Sequence, residues 1–267
     1  MGSRNTVSLN IDANGSWSYE RRMYNQKCIF TFLLTAMFNL TQIEQIIKQS
    51  DWWKTAAVTI DNHHSNNSGI MLTDHLQQVY CNIEAIFQQP GAGFYGELFN
   101  LLEHLNVNKE ELKDELKVVA LLHDIGKPAE DKTLVMPHPL TGKPAHKRHG
   151  LAGLMAAMEI LAPSLDEMPE KRDRIYRTIE LHDMSYGLFR EYQATLVIPP
   201  HDRWTYINHK IHVLPAAGII YLLIFKLADV HGHANISDVI WFYHAVKSNY
   251  FNQLLIDLPI PTEADIR

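Results

Sequence analysis

Residues 109–128 read KEELKDELKVVALLHDIGKP, and the spacing inside this stretch decides how the chain folds. Leu112, Leu116, Val119 and Leu122 recur by four and three residues, which draws one apolar stripe along a helix. His123 follows Leu116 by seven and Val119 by four, so it falls on the inward line. The helix is expected from about 109 to 125, stopping at Gly126 with Pro128 just beyond. It therefore delivers a His–Asp pair, His123 and Asp124, at its C-terminal end.

The same periodicity runs outward in both directions. Upstream, Leu72, Leu76, Val79, Ile83 and Ile86 predict a helix from about 71 to 88, opened by Thr73 or a neighbour, with His75 beside its stripe. Downstream, Met136 to Arg148 holds three prolines and a glycine and reads as a loop at a site rim. His149 begins the next helix, marked by Leu151, Leu154, Met155, Met158 and Leu161 and closed by Pro163. A helix from about 168 to 183 puts Ile175, Ile179 and His182 on one face. The run from Ala216 to Asp229 is apolar nearly all round, as a central helix would be, with Asp229 on the line of Leu222 and Phe225. A last helix carries Val239, Trp241, Phe242 and Ala245. Alternating strands are scarce, and the class is all-α.

Residues 1–65 read as an N-terminal elaboration. It begins as a polar arm with a short strand expected near Val7–Ile11, and the apolar then amphipathic stretch Cys28–Lys54 is expected to pack on the main domain. The polar loop Asp61–Gly69 marks the boundary and holds His63 and His64.

Composition narrows the function classes. Hydrophobic residues make up 46% of 267, enough for a sizeable core. With 24 basic against 30 acidic side chains, the chain lacks the cationic surface that long nucleic acid requires. Two cysteines, Cys28 and Cys81, build neither a disulfide framework nor a four-cysteine zinc site, which agrees with a reducing cytoplasm. The longest apolar runs, Cys28–Leu40 and Val213–Phe225, fall short of the roughly 20 residues that span a bilayer. The expected protein is cytoplasmic and independent of membranes.

The chain has 15 histidines, and several of them, with two aspartates, fall on buried helical faces. Burying unpaired ionisable groups costs several kcal/mol each unless something compensates. A divalent metal compensates. Imidazoles mixed with carboxylates suit first-row metals such as Mn, Fe, Co, Ni or Zn better than an all-oxygen calcium or magnesium site.

The string Ala120-Leu121-Leu122-His123-Asp124-Ile125-Gly126-Lys127 resembles the signature of the HD-domain superfamily. A lone helical histidine, His75, precedes it, and Asp229 in Lys226-Leu227-Ala228-Asp229 follows much later. His149 in His149-Gly150-Leu151-Ala152-Gly153, with His146 as its nearest alternative, and His182 in Glu180-Leu181-His182-Asp183 complete the order H, HD, H, H, D. The resemblance covers about residues 70 to 235 and implies an HD-domain helical bundle within residues 66–267. It implies one or two divalent transition metals, Mg being possible, held by His75, His123, Asp124, His149, His182 and Asp229, with Asp124 bridging. The other His–Asp pairs, His182-Asp183 and His201-Asp202, lack the surrounding string.

The implied activity is metal-dependent phosphohydrolysis of a small phosphorylated substrate, a nucleotide, cyclic nucleotide or RNA end, through a metal-activated water. Asp124 would position that water. Lys127 would meet a phosphate oxygen as a point charge, or stand solvated at the helix end. Lys147 and Arg148, in the basic group before His149, are candidates for the substrate phosphate. The Gly-Tyr-Pro pattern of the family's cyclic-dinucleotide enzymes is absent. Two other readings share the ligand set or the fold: a di-iron oxygenase, and a non-catalytic nucleotide-binding module.

Overall fold

The computed structural model describes residues 9–11, 17–19, 38–61, 69–89, 91–129, 135–137, 144–146, 149–200, 202–203, 206–207, 210, 218–231 and 236–266. The chain divides into two units, Met1–Met37 and Phe38–Arg267. In the first, β1 (Leu9–Ile11) pairs antiparallel with β2 (Trp17–Tyr19). The stretch expected to pack on the main domain enters the second unit at Phe38, where it forms α1 (Leu40–Gln49) and α2 (Asp51–Ala56).

Among its described residues the second unit is all-α apart from one short hairpin and an isolated bridge between Ile60 and Met71. Its remaining elements are α3 (Leu72–Phe87), α4 (Gly93–His104), α5 (Lys109–Leu122), a 3-10 turn (Lys127–Ala129), β3 (Val135–Pro137), β4 (Pro144–His146), α6 (His149–Leu165) and α7 (Pro169–Leu181). Then come α8 (Met184–Thr195), α9 (Gly218–Val230), α10 (Ser237–Val246), a π turn (Lys247–Phe251) and α11 (Glu263–Ile266). No described helix is long and apolar enough to cross a membrane.

Three of the central helices start for a local reason. Asn108 caps α5 by accepting from the N–H groups of Glu110 and Glu111, whose carboxylates sit where the helix dipole favours them. Asp74, rather than Thr73, closes the start of α3 by accepting from the Met71 N–H at 3.2 Å. Pro169 opens α7 at a position where its missing N–H costs nothing.

Four helices form the centre. α3 packs on α5, α5 on α7, and α9 against all three, while α6 covers α7 and the end of α5. Leu72, Leu76, Val79, Ile83 and Ile86 of α3 are buried, as their spacing predicts. From Gly218 to Ala228 every residue of α9 is buried, and so is every residue from Glu115 to Leu122 of α5. A fully buried Leu or Ile contributes about 1.5–3 kcal/mol.

Three expectations give way to the structure. Pro163 does not close α6, which runs on to Leu165; the proline lies in the last turn, where only one intrahelical N–H is lost. The loop expected from Met136 to Arg148 contains β3 and β4, paired from Val135↔His146 to Pro137↔Pro144. α5 ends at Leu122 with His123 as its cap, short of the expected stop at Gly126, and Gly126 makes no left-handed turn, since the described glycines with positive φ are Gly69 and Gly93. A Cβ on Gly126 would stand 2.3 Å from the Ala152 carbonyl carbon, and one on Gly153 would stand 2.4 Å from the His123 oxygen. These two glycines let the end of α5 lie backbone to backbone against the first turn of α6.

Candidate metal centre

Five helices bring their ends to one place. His75 lies in the first turn of α3, His149 is the first residue of α6, and Asp229 is next to last in α9. His123 and His182 occupy equivalent positions, each one residue past a helix C-terminus. There the last carbonyls lack intrahelical partners. His123 Nδ1 donates to the Ala120 oxygen at 3.0 Å, and His182 Nδ1 donates to the Ile179 oxygen at 2.8 Å. A carbonyl only accepts, so the proton is fixed on Nδ1 and Nε2 of each neutral ring presents a lone pair.

The rings meet in two pairs. His75 Nε2 stands 3.2 Å from His123 Nε2, and His149 Nε2 stands 3.1 Å from His182 Nε2. Asp124 lies between the pairs and divides its two oxygens. Oδ2 is 3.5 Å from His75 Nε2 and 3.3 Å from His123 Nε2, whereas Oδ1 is 3.5 Å from both His149 Nε2 and His182 Nε2. Asp229 Oδ1 joins the first pair only, at 3.6 Å from each ring. Among the described residues this gives the first position four donors and the second three.

Does a divalent metal fit? Donors about 2.1 Å from one ion stand about 3.0 Å apart at right angles and about 3.4 Å apart in a tetrahedron. The separations of 3.1–3.6 Å are edges of such polyhedra. Hydrogen bonds within each imidazole pair satisfy the rings alone; Asp124 Oδ1 is buried and accepts no hydrogen bond. An orphaned buried carboxylate oxygen is costly, and a cation at the second position removes the cost. By these distances the residues present fit the group: His75, His123, Asp124 and Asp229 around one ion, Asp124, His149 and His182 around the other.

Electrostatics agree with a place that attracts positive charge. Burial by itself would raise the Asp124 and Asp229 carboxyls, but Lys127 and His123 beside Asp124, and Lys226 and His123 beside Asp229, hold both well below the usual carboxylate range. Burial opposes a charge on His123, yet the same two carboxylates outweigh it and push this imidazole up to about 9. His182 moves the opposite way, chiefly through burial.

Lys127 is neither solvated nor at the rim. It is 7% exposed, with its ammonium 2.5 Å from Asp124 Oδ2 and 3.6 Å from Asp61 Oδ1. These carboxylates raise its pKa against the effect of burial. Lys147 and Arg148, with His63, His64 and His201, lie outside the described residues.

Several residues of the site escaped the sequence reading. Lys226, buried in the otherwise apolar α9, places its ammonium 2.9 Å from Asp229 Oδ2 and so leaves Oδ1 for the imidazoles. Its signal was a lysine three residues before an aspartate on a helix with no other described charge. Asn82 donates to the Ala228 oxygen at 2.8 Å and ties α3 to α9 one residue before Asp229; a polar residue on an apolar stripe was its mark. Asp183, set aside as an isolated His–Asp pair, stands with Oδ2 3.9 Å from His149 Nε2.

Fold and site define an all-α protein whose helix ends converge on a buried His/Asp cluster with the donors of a divalent metal centre. No family model, curated protein or solved structure matches the chain.

Proposed function

We propose that the chain is a metal-dependent phosphohydrolase of the HD type, acting on a phosphate ester of a nucleotide, cyclic nucleotide or RNA end. The observation that carries this reading is the divided Asp124 carboxylate, with Oδ2 toward one histidine pair and Oδ1, orphaned, toward the other. The signature around His123 resembles that of the HD enzymes, and its six residues are the ones that converge. When bound, two divalent ions supply an activated water and polarise the phosphoryl oxygen it attacks.

The chain's own residues prepare that chemistry. Helix-end carbonyls keep His123 and His182 in the tautomer that leaves Nε2 bare, and Lys226 turns Asp229 so that one oxygen faces inward. Asp124, His149 and His182 would hold the second ion, fewer buried donors than the first position has, which would leave places for a water and a substrate oxygen, as catalytic sites do. Lys127 holds a permanent positive charge against Asp124, within the cluster where negative charge on a phosphoryl group develops.

The test is release of phosphate or nucleotide from nucleoside mono- and triphosphates, 2',3'- and 3',5'-cyclic nucleotides and short RNAs, with added Mn, Ni, Co or Mg. Turnover that depends on metal and vanishes in Asp124→Ala is the expected result. No turnover across the panel, with two irons in the purified protein and oxygen consumed, would transfer the site to oxygenase chemistry.

A further inference from the structure

We infer that Asp183 is a seventh ligand, the fourth protein donor of the second metal position and the one that faces solvent. The inference rests on the two-position metal reading above and adds to it a residue outside the H, HD, H, H, D set.

The first observation is what Asp183 does not do. It occupies the N-cap position of α8, where an aspartate ordinarily accepts a hydrogen bond from the first turn and stabilises the helix by about 1 kcal/mol. Its side chain makes no such bond. The carboxylate turns back instead, with Oδ2 3.9 Å from His149 Nε2 and Oδ1 3.9 Å from the buried ammonium of Lys226.

The second observation is what lies beside it. Asp124 Oδ1, buried and without a hydrogen bond, stands 3.5 Å from that same His149 nitrogen. Both carboxylates thus have an oxygen within 4 Å of one imidazole nitrogen, at 3.5 and 3.9 Å. Two donors of a single ion stand between about 3.0 Å apart when adjacent and about 4.2 Å when opposite. The 3.9 Å separation lies within this span.

Charge and exposure separate Asp183 from the other six. The first position has two carboxylate oxygens, whereas the second has one, so a further carboxylate evens the two. Lys226 lies between Asp229 Oδ2 at 2.9 Å and Asp183 Oδ1 at 3.9 Å, and so steadies one carboxylate of each position. The Asp183 side chain is 42% exposed, against 13% or less for the six others. A ligand at the solvent edge can yield its place to an incoming substrate oxygen without unpacking the core.

The experiment is a Co²⁺ titration of the metal-free protein, followed by visible absorbance and calorimetry, on wild type, Asp183→Asn, Asp183→Glu and His182→Gln. Asparagine keeps the shape and capping ability of aspartate, so α8 is undisturbed. Wild type is expected to take two ions. Asp183→Asn should weaken one step by about tenfold or more, the same step that His182→Gln abolishes, and leave the other unchanged; Asp183→Glu should recover most of it. Two unchanged steps in Asp183→Asn, or an equal shift of both, would overturn the role of Asp183 while leaving the metal centre standing. A wild-type protein that takes no Co²⁺ would overturn both.

Discussion

Gly126 and Gly153 show how much a single missing methyl group decides at the scale of the residue. The His123–Asp124 pair is held in place because the backbone at the end of α5 lies directly against α6, and no side chain fits between them. Gly153→Ala would set a methyl 2.4 Å from the His123 carbonyl oxygen, where the obstacle is backbone rather than a flexible side chain. A loss of at least about 1–3 kcal/mol is expected, read by urea denaturation, together with weaker metal binding because His123 moves. Gly187→Ala serves as the control. It is exposed in α8 with nothing within 4 Å of the added atom, and it should stabilise the helix by about 0.5–1 kcal/mol. Equal behaviour of the two variants would contradict the close-approach account.

Among whole elements, α5 and α7 are joined by a cluster of ion pairs, in which Lys171 and Arg174 meet Glu111 and Glu115, and Glu115–Arg174 is the pair set deepest in the bundle. Glu115, whose side chain is 1% exposed, accepts two hydrogen bonds from the Arg174 guanidinium, at 2.8 Å from Nε and 2.6 Å from Nη2. Burial raises the Glu115 carboxyl, and Arg174 partly offsets the shift. Such a pair adds little over an apolar contact of the same shape, but removing Arg174 takes away both hydrogen bonds of a buried carboxylate and leaves it Lys171 at 4.0 Å. Arg174→Met is therefore expected to cost about 3–5 kcal/mol in chemical denaturation. The double variant Glu115→Met/Arg174→Met should recover a large part of that loss; a double variant as unstable as the sum of the single ones would show that the two side chains act separately.

Taken whole, the molecule gathers six candidate ligands from the ends of α3, α5, α6, α7 and α9, and a seventh, Asp183, from the start of α8. An ion bound there cross-links helices that are far apart in the chain and binds the folded state alone. Linkage then requires stabilisation of about 2.7 kcal/mol for a metal present at a hundred times its Kd. The melting temperature should rise with added Mn or Co and fall with a chelator, and Asp124→Ala should abolish the dependence on metal. A melting temperature indifferent to metal in the wild-type protein would contradict the centre itself.

Helices, their inward faces and the residues at their ends were legible from sequence because they follow from spacing along one chain segment. The stripe from Leu72 to Ile86, the all-round apolar α9 and the position of His123 four residues after Val119 needed no partner to be read. α4 and α8 are less visible in the sequence, since α4 starts right after Gly91 and Ala92 and α8 starts one residue after the His182–Asp183 pair, so neither is set apart by a long polar loop. Only the tertiary structure decided that the oxygens of Asp124 are shared between two histidine pairs, that Lys127 is buried against Asp124 and Asp61, that Lys226 holds Asp229, and that Asp183 turns away from its own helix toward His149. Each of these depends on the distance between backbones tens of residues apart, and local periodicity contains no term for that distance.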